Sequence, residues 1–298
     1  MEHEIKTLDD ARGVRLDKFL ATKFVSLSRN KLHELITKGK VLVNNKAQKP
    51  SFKLRGSEHI LVSEEEIVSG ILPFNFDVKI VYEDDFLIVV DKPYGLTVHP
   101  ANKNMHDTLV NALVGMGKTL AQVDPNRPGV VHRLDKETSG LMVLAKSNEV
   151  HYNLVSQFRE RKINKIYQAI VHGVLPQDTM TVDMPLARDS ANRTKMKVGF
   201  IDSKDARTDI KVLKRFNDAT YVELKIHTGR MHQIRVHMKF LGYPIVGDSK
   251  YGPRKAEAKE MLLHAVTLSF LHPKTGKLLE FTSTLPQRFI DFMNEKGQ

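Results

Sequence analysis

The chain has 298 residues, enough for one large domain or a large and a small one, and 41% of them are hydrophobic, enough for a real core. No run approaches the roughly 18 apolar residues of a membrane span, and the start Met1-Glu2-His3-Glu4-Ile5 lacks a basic-then-apolar leader, so a cytoplasmic location is expected. With no cysteine there are neither disulfides nor thiolate metal sites, and a net charge of +11 points to a polyanionic partner. The charge is concentrated. Between Ala11 and Arg55 stand twelve cations (Arg12, Arg15, Lys18, Lys23, Arg29, Lys31, Lys38, Lys40, Lys46, Lys49, Lys53, Arg55) against Asp17 and Glu34, between acidic flanks at Glu2 to Asp10 and Glu64 to Glu66. A merely soluble surface would mix its signs.

The same window carries its own fold signals. Leu16, Phe19, Leu20 and Phe24 recur at helical spacing, and a second helix opens at Ser28, turns Leu32, Leu35 and Ile36 inward and stops at Gly39. Two short strands follow, Val41 to Val43 and His59 to Val62, with a turn at Asn44-Asn45. The stretch resembles the ribosomal-protein-S-four-type (alpha-L) RNA-binding domain on Arg15-Leu16-Asp17-Lys18-Phe19-Leu20, Ser28-Arg29, Leu35-Ile36, Gly39 and Val43-Asn44. Resemblance and charge together assign RNA contacts to Arg15, Lys18, Arg29, Lys31, Lys38 and Lys40. Aromatics are few here, so phosphates rather than stacked bases should supply the affinity. The other reading is a basic, solvated helical hairpin without a ligand. Residues 64–76 read as a linker, with the charge run Glu64-Glu65-Glu66 and the breakers Gly70, Pro73 and Asn75. A boundary near Leu72 gives domains of 11–72 and 73–298.

Beyond the linker, strands are predicted at Ile80 to Tyr82, Phe86 to Val90, Gly129 to Leu134, Leu141 to Lys146, Ile166 to His172, Thr208 to Arg215, Tyr221 to His227, Leu263 to Phe270 and Leu278 to Thr282. Helices are predicted at Asp107 to Val114, Asn148 to Arg161, Arg230 to Leu241 and Pro286 to Glu295. Alternation such as Val222, Leu224, Ile226 against Tyr221, Glu223, Lys225 suggests antiparallel sheets covered on one face. The fold class is therefore α+β, a mixed and largely antiparallel sheet preceded by a small α/β domain.

One turn in this domain concentrates charge. Asp135, Lys136 and Glu137 follow the segment ending at Leu134, and Gly140 closes the turn as the residue that best tolerates positive φ. On a strand, Arg133 and Asp135 would face the same side and could meet as an ion pair beside the turn. That is a structural reading, and by itself it names no chemistry.

The string His132-Arg133-Leu134-Asp135 followed by Thr138-Ser139-Gly140-Leu141 resembles the signature of the RluA/RluD-type pseudouridine synthases. Further family stretches occur in order: Asp91-Lys92-Pro93-Tyr94-Gly95-Leu96 with Val98-His99-Pro100, Lys165-Ile166-Tyr167, and Thr228-Gly229-Arg230-Met231-His232-Gln233-Ile234-Arg235. Weaker echoes lie at Pro185 to Asp189, Arg193 to Met196 and Ala206 to Thr208, so the resemblance spans roughly residues 78 to 285. It implies a sheet core with a central cleft and Asp135 as the catalytic residue. It also implies Tyr167 stacking on the target base, Lys165 acting electrostatically nearby, Arg230 pairing with the carboxylate and Ile234 forming an apolar wall. Arg133 would orient Asp135 or fill the space vacated in the RNA. Taken alone, Tyr167 would read as core and Arg230 as a surface ion pair.

Other chemistries fit less well. His232 and His237 are five apart, about 140° off a common helical face, and His99, His132, His172 and His264 are scattered, so no metal site is expected. Gly115-Met116-Gly117-Lys118-Thr119 lacks the upstream glycine of a phosphate loop, and no serine sits in a nucleophile elbow. Isomerisation of uridine needs no cofactor, metal or energy source, and none is expected. The function expected is an RNA pseudouridine synthase acting on a flipped-out uridine, with large-subunit ribosomal RNA or its precursor as partner and a monomer as the default state. Asp135 would act as nucleophile or base. The competing function is a noncatalytic RNA-binding ribosome-assembly protein, which needs only the basic window and leaves the Asp135 motif unused.

Overall fold

The computed structural model describes residues 2–7, 11–24, 29–63, 71–102, 104–253 and 258–297, with only the backbone described for residues 2, 3 and 29–31. Six elements come before residue 64: β1 (Glu2–Lys6), α1 (Leu16–Lys23), α2 (Arg29–Thr37), β2 (Val41–Val43), β3 (Lys46–Ala47) and β4 (His59–Ser63). Both predicted helices form, although Ser28 lies outside the described residues. Leu16, Leu20, Leu32 and Ile36 meet β2 and β4 in a core of their own. The sheet order is β1-β4-β2-β3, so β1 joins this unit ahead of Ala11, where the sequence reading began it. Alternation of His3 and Ile5 is too short and too polar to have marked that strand. The linker predicted at 64–76 falls largely on residues 64–70, outside the described ones, while Ile71 is buried in the larger core.

The rest of the chain supplies β5 (Lys79–Glu83), β6 (Leu87–Lys92), α3 (Leu109–Gly115), β7 (Ser139–Ala145), α4 (Asn148–Arg159), β8 (Asn164–His172), β9 (Thr179–Asp183), β10 (Leu186–Arg188) and β11 (Met196–Val198). It continues through β12 (Arg207–Arg215), β13 (Ala219–Ile226), α5 (Gln233–Phe240), β14 (Leu263–Leu271), β15 (Leu278–Thr282) and α6 (Gln287–Lys296). A nine-stranded sheet runs β5-β6-β7-β14-β8-β13-β12-β9, with β15 added to β14, and β10 pairs with β11 apart from it. Among the paired strands of the described residues only β7 with β14 is parallel. The class is the mixed, largely antiparallel α+β fold expected.

Burial differs from the expectation in the middle of the sheet. β12 and β13 alternate buried and open positions, but Leu87, Ile88, Val89 and Val90 of β6 are all 0% exposed. Their unbroken apolar run is what two-sided burial requires. One face carries Ile88, Val90, Met142 and Leu144, and the other carries Leu87, Val89, Leu141 and Val143 under Val150 and Leu154 of α4. Each such fully buried side chain contributes about 1.5–3 kcal/mol. Ser147 caps α4 by accepting from Val150 N–H, and Gln157 clasps the Leu271 backbone through both its amide atoms. This fixes Phe158 behind the segment that leads into β7.

Gly129 to Leu134 is not a strand. Its backbone pairing with β7 is a single bridge, Val130 to Leu144, after which the chain leaves the sheet and returns at Ser139. Gly140 has φ +116° but lies within β7 rather than closing a turn. A Cβ there would sit 2.3 Å from the Ala265 carbonyl oxygen of β14, so glycine permits the close parallel approach. Residues 131–138 thus become a loop anchored where the sheet changes sense. Among the described residues, no helix is long and apolar enough to cross a membrane.

Candidate active site

The loop is held from beneath and behind. His132 Nε2 accepts from Val143 N–H at 3.1 Å and its ring stacks on Phe158 at 4.6 Å between centroids. Burial, with Lys165 adding to it, pushes its pKa down to about 3, so the ring stays a neutral acceptor. Lys92 is fully buried, and its Nζ donates to the carbonyls of Pro93, Leu96 and, at 3.3 Å, Lys136. Burial lowers its pKa to about 7 even though Asp135 opposes the shift. The ammonium therefore ties the turn after β6 to the turn that carries Asp135.

Asp135 opens onto a cavity of about 170 Å³ lined by Arg133, Leu134, Tyr167, Ile226, Ile234 and Leu263, and also by Arg230 and His232. It is the only carboxylate lining that cavity among the described residues. Its partner is Arg235. The guanidinium reaches Asp135 Oδ2 at 3.2 Å, Glu137 Oε2 at 2.8 Å and Asp248 through Nε and Nη2 at 2.8 and 2.7 Å. Arg235 is 2% exposed and the Asp248 side chain 0%, whereas the Asp135 side chain is 20% exposed. Burial works against both charges of the Arg235–Asp248 pair, yet their mutual bonds outweigh it: the Arg235 pKa is raised and that of Asp248 lowered. The fork geometry of a guanidinium is what lets one side chain orient three carboxylates.

The sequence assigned this partnership to Arg230, and the structure corrects it. Helix α5 begins at Gln233, not Arg230, after His232 takes a left-handed φ of 57°. Arg230 lies in the turn before the helix and its Nε donates to the Asp205 carbonyl at 3.0 Å. The cation in the first helical turn is Arg235, and its unfavourable position against the helix dipole is offset by the three carboxylates. A signal was present in the chain. Gln233 to Met238 are all buried, and an arginine inside such a segment must be paired. The expected Arg133–Asp135 ion pair is also not formed: Arg133 Nη1 lies 3.3 Å from His99 Nε2, because the pair sits on a loop, where alternation does not hold.

Further residues behind the cavity were not singled out by sequence. Tyr251 Oη accepts from Met196 N–H and lies 2.8 Å from His232 Nδ1, and the other ring nitrogen of His232, Nε2, is 3.9 Å from Asp135 Oδ2. Ser249 donates to Glu137. Arg133, Asp135, Tyr167, Arg230 and Ile234 are therefore brought together on one cavity, and Lys165 lines its neighbour. Burial, reinforced by Asp135, raises the Tyr167 pKa, so the phenol stays neutral. Among the basic-window residues, Arg15 forks onto Asp17 and Lys38 pairs with Glu34, while Lys18 is exposed and Lys40 half-buried. The side chains of Arg29 and Lys31 lie outside the described residues.

Residues 86–240 match the family model described as RNA pseudouridylate synthase, and residues 14–60 match the S4 domain. YlyB of Bacillus subtilis (strain 168), named as an uncharacterized RNA pseudouridine synthase, is 41% identical over 293 residues, covering 97% of this chain and 96% of that protein. A ribosomal large subunit pseudouridine synthase D of Neisseria meningitidis serogroup B is 42% identical over 290 residues, 92% of this chain and 76% of that one. The solved structure of human RNA pseudouridylate synthase domain containing 1 superposes with a TM-score of 0.59 at 27% identity, over 70% of this chain and 83% of that one. The chain belongs to the RNA pseudouridylate synthase family. It is an isomerase that converts uridine to pseudouridine in RNA, and it carries an S4 RNA-binding domain.

Proposed function

We propose that the protein isomerises uridine in large-subunit ribosomal RNA, and that Asp135 acts on a uridine flipped out of the RNA into the cavity it lines. The observation that carries this reading is that, among the described residues, a single carboxylate lines a cavity bordered otherwise by apolar, neutral polar and cationic side chains, and that a buried arginine orients it. Extrusion of a base costs a few kcal/mol, least from a loop. Tyr167 offers a neutral ring for stacking, and Leu134, Ile226, Ile234 and Leu263 exclude water around the base. Asp135 then serves the cleavage of the bond from base N1 to the ribose and the joining of C5, as nucleophile or as base, and either role needs a carboxylate held in a fixed direction. Relatives named as large-subunit ribosomal enzymes support the choice of RNA. The reading is tested by mapping pseudouridine in large-subunit ribosomal RNA fragments incubated with the purified protein; the absence of new pseudouridine there, with conversion in another RNA, removes the ribosomal assignment.

The division of labour proposed for the two units, near 11–72 and 73–298, is that the first supplies affinity and the second chemistry. Lys18, Lys38 and Lys40 changed together to Gln should flatten the log–log salt dependence of RNA binding by about 0.7–0.9 for each phosphate that is no longer neutralised. The single-turnover rate at saturating RNA should stay unchanged. An unaltered salt slope would place the affinity in the cleft instead.

Among the described residues no group of three His, Asp or Glu is arranged to hold a metal ion. Pseudouridine formation on pre-folded RNA is therefore expected to survive EDTA. A single-turnover rate that collapses under EDTA and returns with zinc or manganese would overturn this.

A further inference from the structure

A second cavity, of about 430 Å³, adjoins the first and shares with it Arg133, Tyr167, Ile226, Gly229 and Arg230. Its inner wall carries Lys165, two residues from Tyr167 on β8 and hence on the same strand face. The Lys165 ammonium lies 5.5 Å from the centre of the Phe158 ring, and a Cβ on Gly229 would come within 3.8 Å of it. Arg133, Arg159, Arg161 and Arg230 complete the charged lining, and among the described residues no carboxylate contributes to it. Among the described residues none of these five cations forms an ion pair, in contrast to Arg235 with its three acids. Burial alone drives the Lys165 pKa down to about 8. A half-buried cation without a counter-charge is costly, so its retention asks for an anion that arrives from outside.

We propose that this second cavity is a phosphate subsite, and that its occupant in the working enzyme is the RNA backbone phosphodiester next to the nucleotide held in the first cavity. The proposal rests on reading the first cavity as the uridine site. The wall common to the two cavities, Tyr167 with Arg133 and Gly229, puts a flanking phosphate of an extruded nucleotide beside Lys165. The missing side chain at Gly229 keeps the approach open. Positioning a phosphate there fixes the nucleotide without reading its base.

The experiment uses the full chain and an RNA fragment carrying the mapped target uridine, in normal form or with one neutral methylphosphonate 5′ or 3′ of that uridine. For wild type, one of the two methylphosphonates should lower kcat/KM roughly tenfold to hundredfold, the span of a charge-assisted hydrogen bond. Lys165→Met should lose a similar factor on normal RNA and then be indifferent to the methylphosphonate, whereas Lys165→Arg should keep the sensitivity. The RNA-free Lys165→Met protein should melt above wild type, because a half-buried cation with no counter-charge has been removed. The groups facing Lys165 are His132, Arg133, Arg159, Arg161, His227 and Arg230, none of them acidic. The folded-state pKa lies below the ordinary 10.5, so this melting advantage is full below about pH 8 and fades as pH rises toward 10.5. Independent, multiplicative losses from the mutation and the methylphosphonate overturn the subsite. Inorganic phosphate raising the wild-type melting temperature while both methylphosphonates react normally overturns the RNA source. Asp135→Asn reports on the uridine site alone, so the two readings fail separately.

Discussion

Replacing Asp135 by Asn should bring pseudouridine formation below detection in a protein that stays folded and still binds RNA. Asparagine keeps the size and much of the hydrogen-bonding capacity of aspartate but is neither nucleophile nor base at neutral pH. The surroundings make the test cleaner than a buried ion pair usually allows. The Asp135 side chain is 20% exposed, and Arg235 retains Glu137 and the fully buried Asp248 when the Asp135 charge is lost. The stability change should therefore stay near the 0 to 1 kcal/mol of a partly exposed pair, not the ~3 to 5 kcal/mol of a broken buried one. RNA affinity should hold or rise, since a carboxylate near phosphates is repelled by them. The measurements are pseudouridine formed in a single turnover and a melting curve for each protein. A folded Asp135→Asn protein that makes pseudouridine at the wild-type rate would end the assignment.

What the sequence could show depended on whether a residue's partners lie close along the chain. Helices α1, α2, α4 and α6 and the strands β8, β12 to β15 were legible because their apolar period is local. Strands β9, β10 and β11 were not: Thr179 to Asp183 is mostly exposed, and the three-residue strands β10 and β11 close an excursion that propensity alone cannot mark. At the cleft, the motif around Asp135 was legible, and so were Tyr167 and Ile234, since β8 and α5 carry them to the same cavity. Arg230 was mistaken for Arg235 because the helix start was set too early, and the left-handed turn at His232 has no sequence marker. The links from Arg235 to Asp135, Glu137 and Asp248 span 100, 98 and 13 positions, and only the folded sheet brings them together. Lys92 escaped for the same reason, its contact with Lys136 spanning 44 positions.

Removing the guanidinium of Arg235 should cost more stability than any other change at the cleft. In Arg235→Met the side chain keeps much of its bulk, but Asp248 is left 0% exposed with a charge and no cationic partner. Breaking a buried pair from one side costs about 3 to 5 kcal/mol, which for a chain of this size lowers the melting temperature by roughly ten degrees. Activity should fall as well at temperatures where the variant is folded, because Asp135 and Glu137 lose the group that aims them. Arg235→Lys should recover only part of either loss, since a point charge cannot fork onto three carboxylates. Arg230→Met is the contrast: that guanidinium lines the cavity but donates only to a backbone carbonyl, so the melting temperature should barely move. The double variant Arg235→Met with Asp248→Asn removes the stranded charge and should regain stability without regaining activity. The pH dependence carries the same signature. Burial alone would raise the Asp248 pKa, but the bonds from Arg235 hold it below the ordinary 3.8, so the stability it contributes is present above about pH 4 and is lost as pH falls through the folded-state value. In Arg235→Met that protection is gone, and acid unfolding should begin at a higher pH than in wild type. Equal melting temperatures for Arg235→Met and wild type would show that the carboxylates, not the arginine, organise this site.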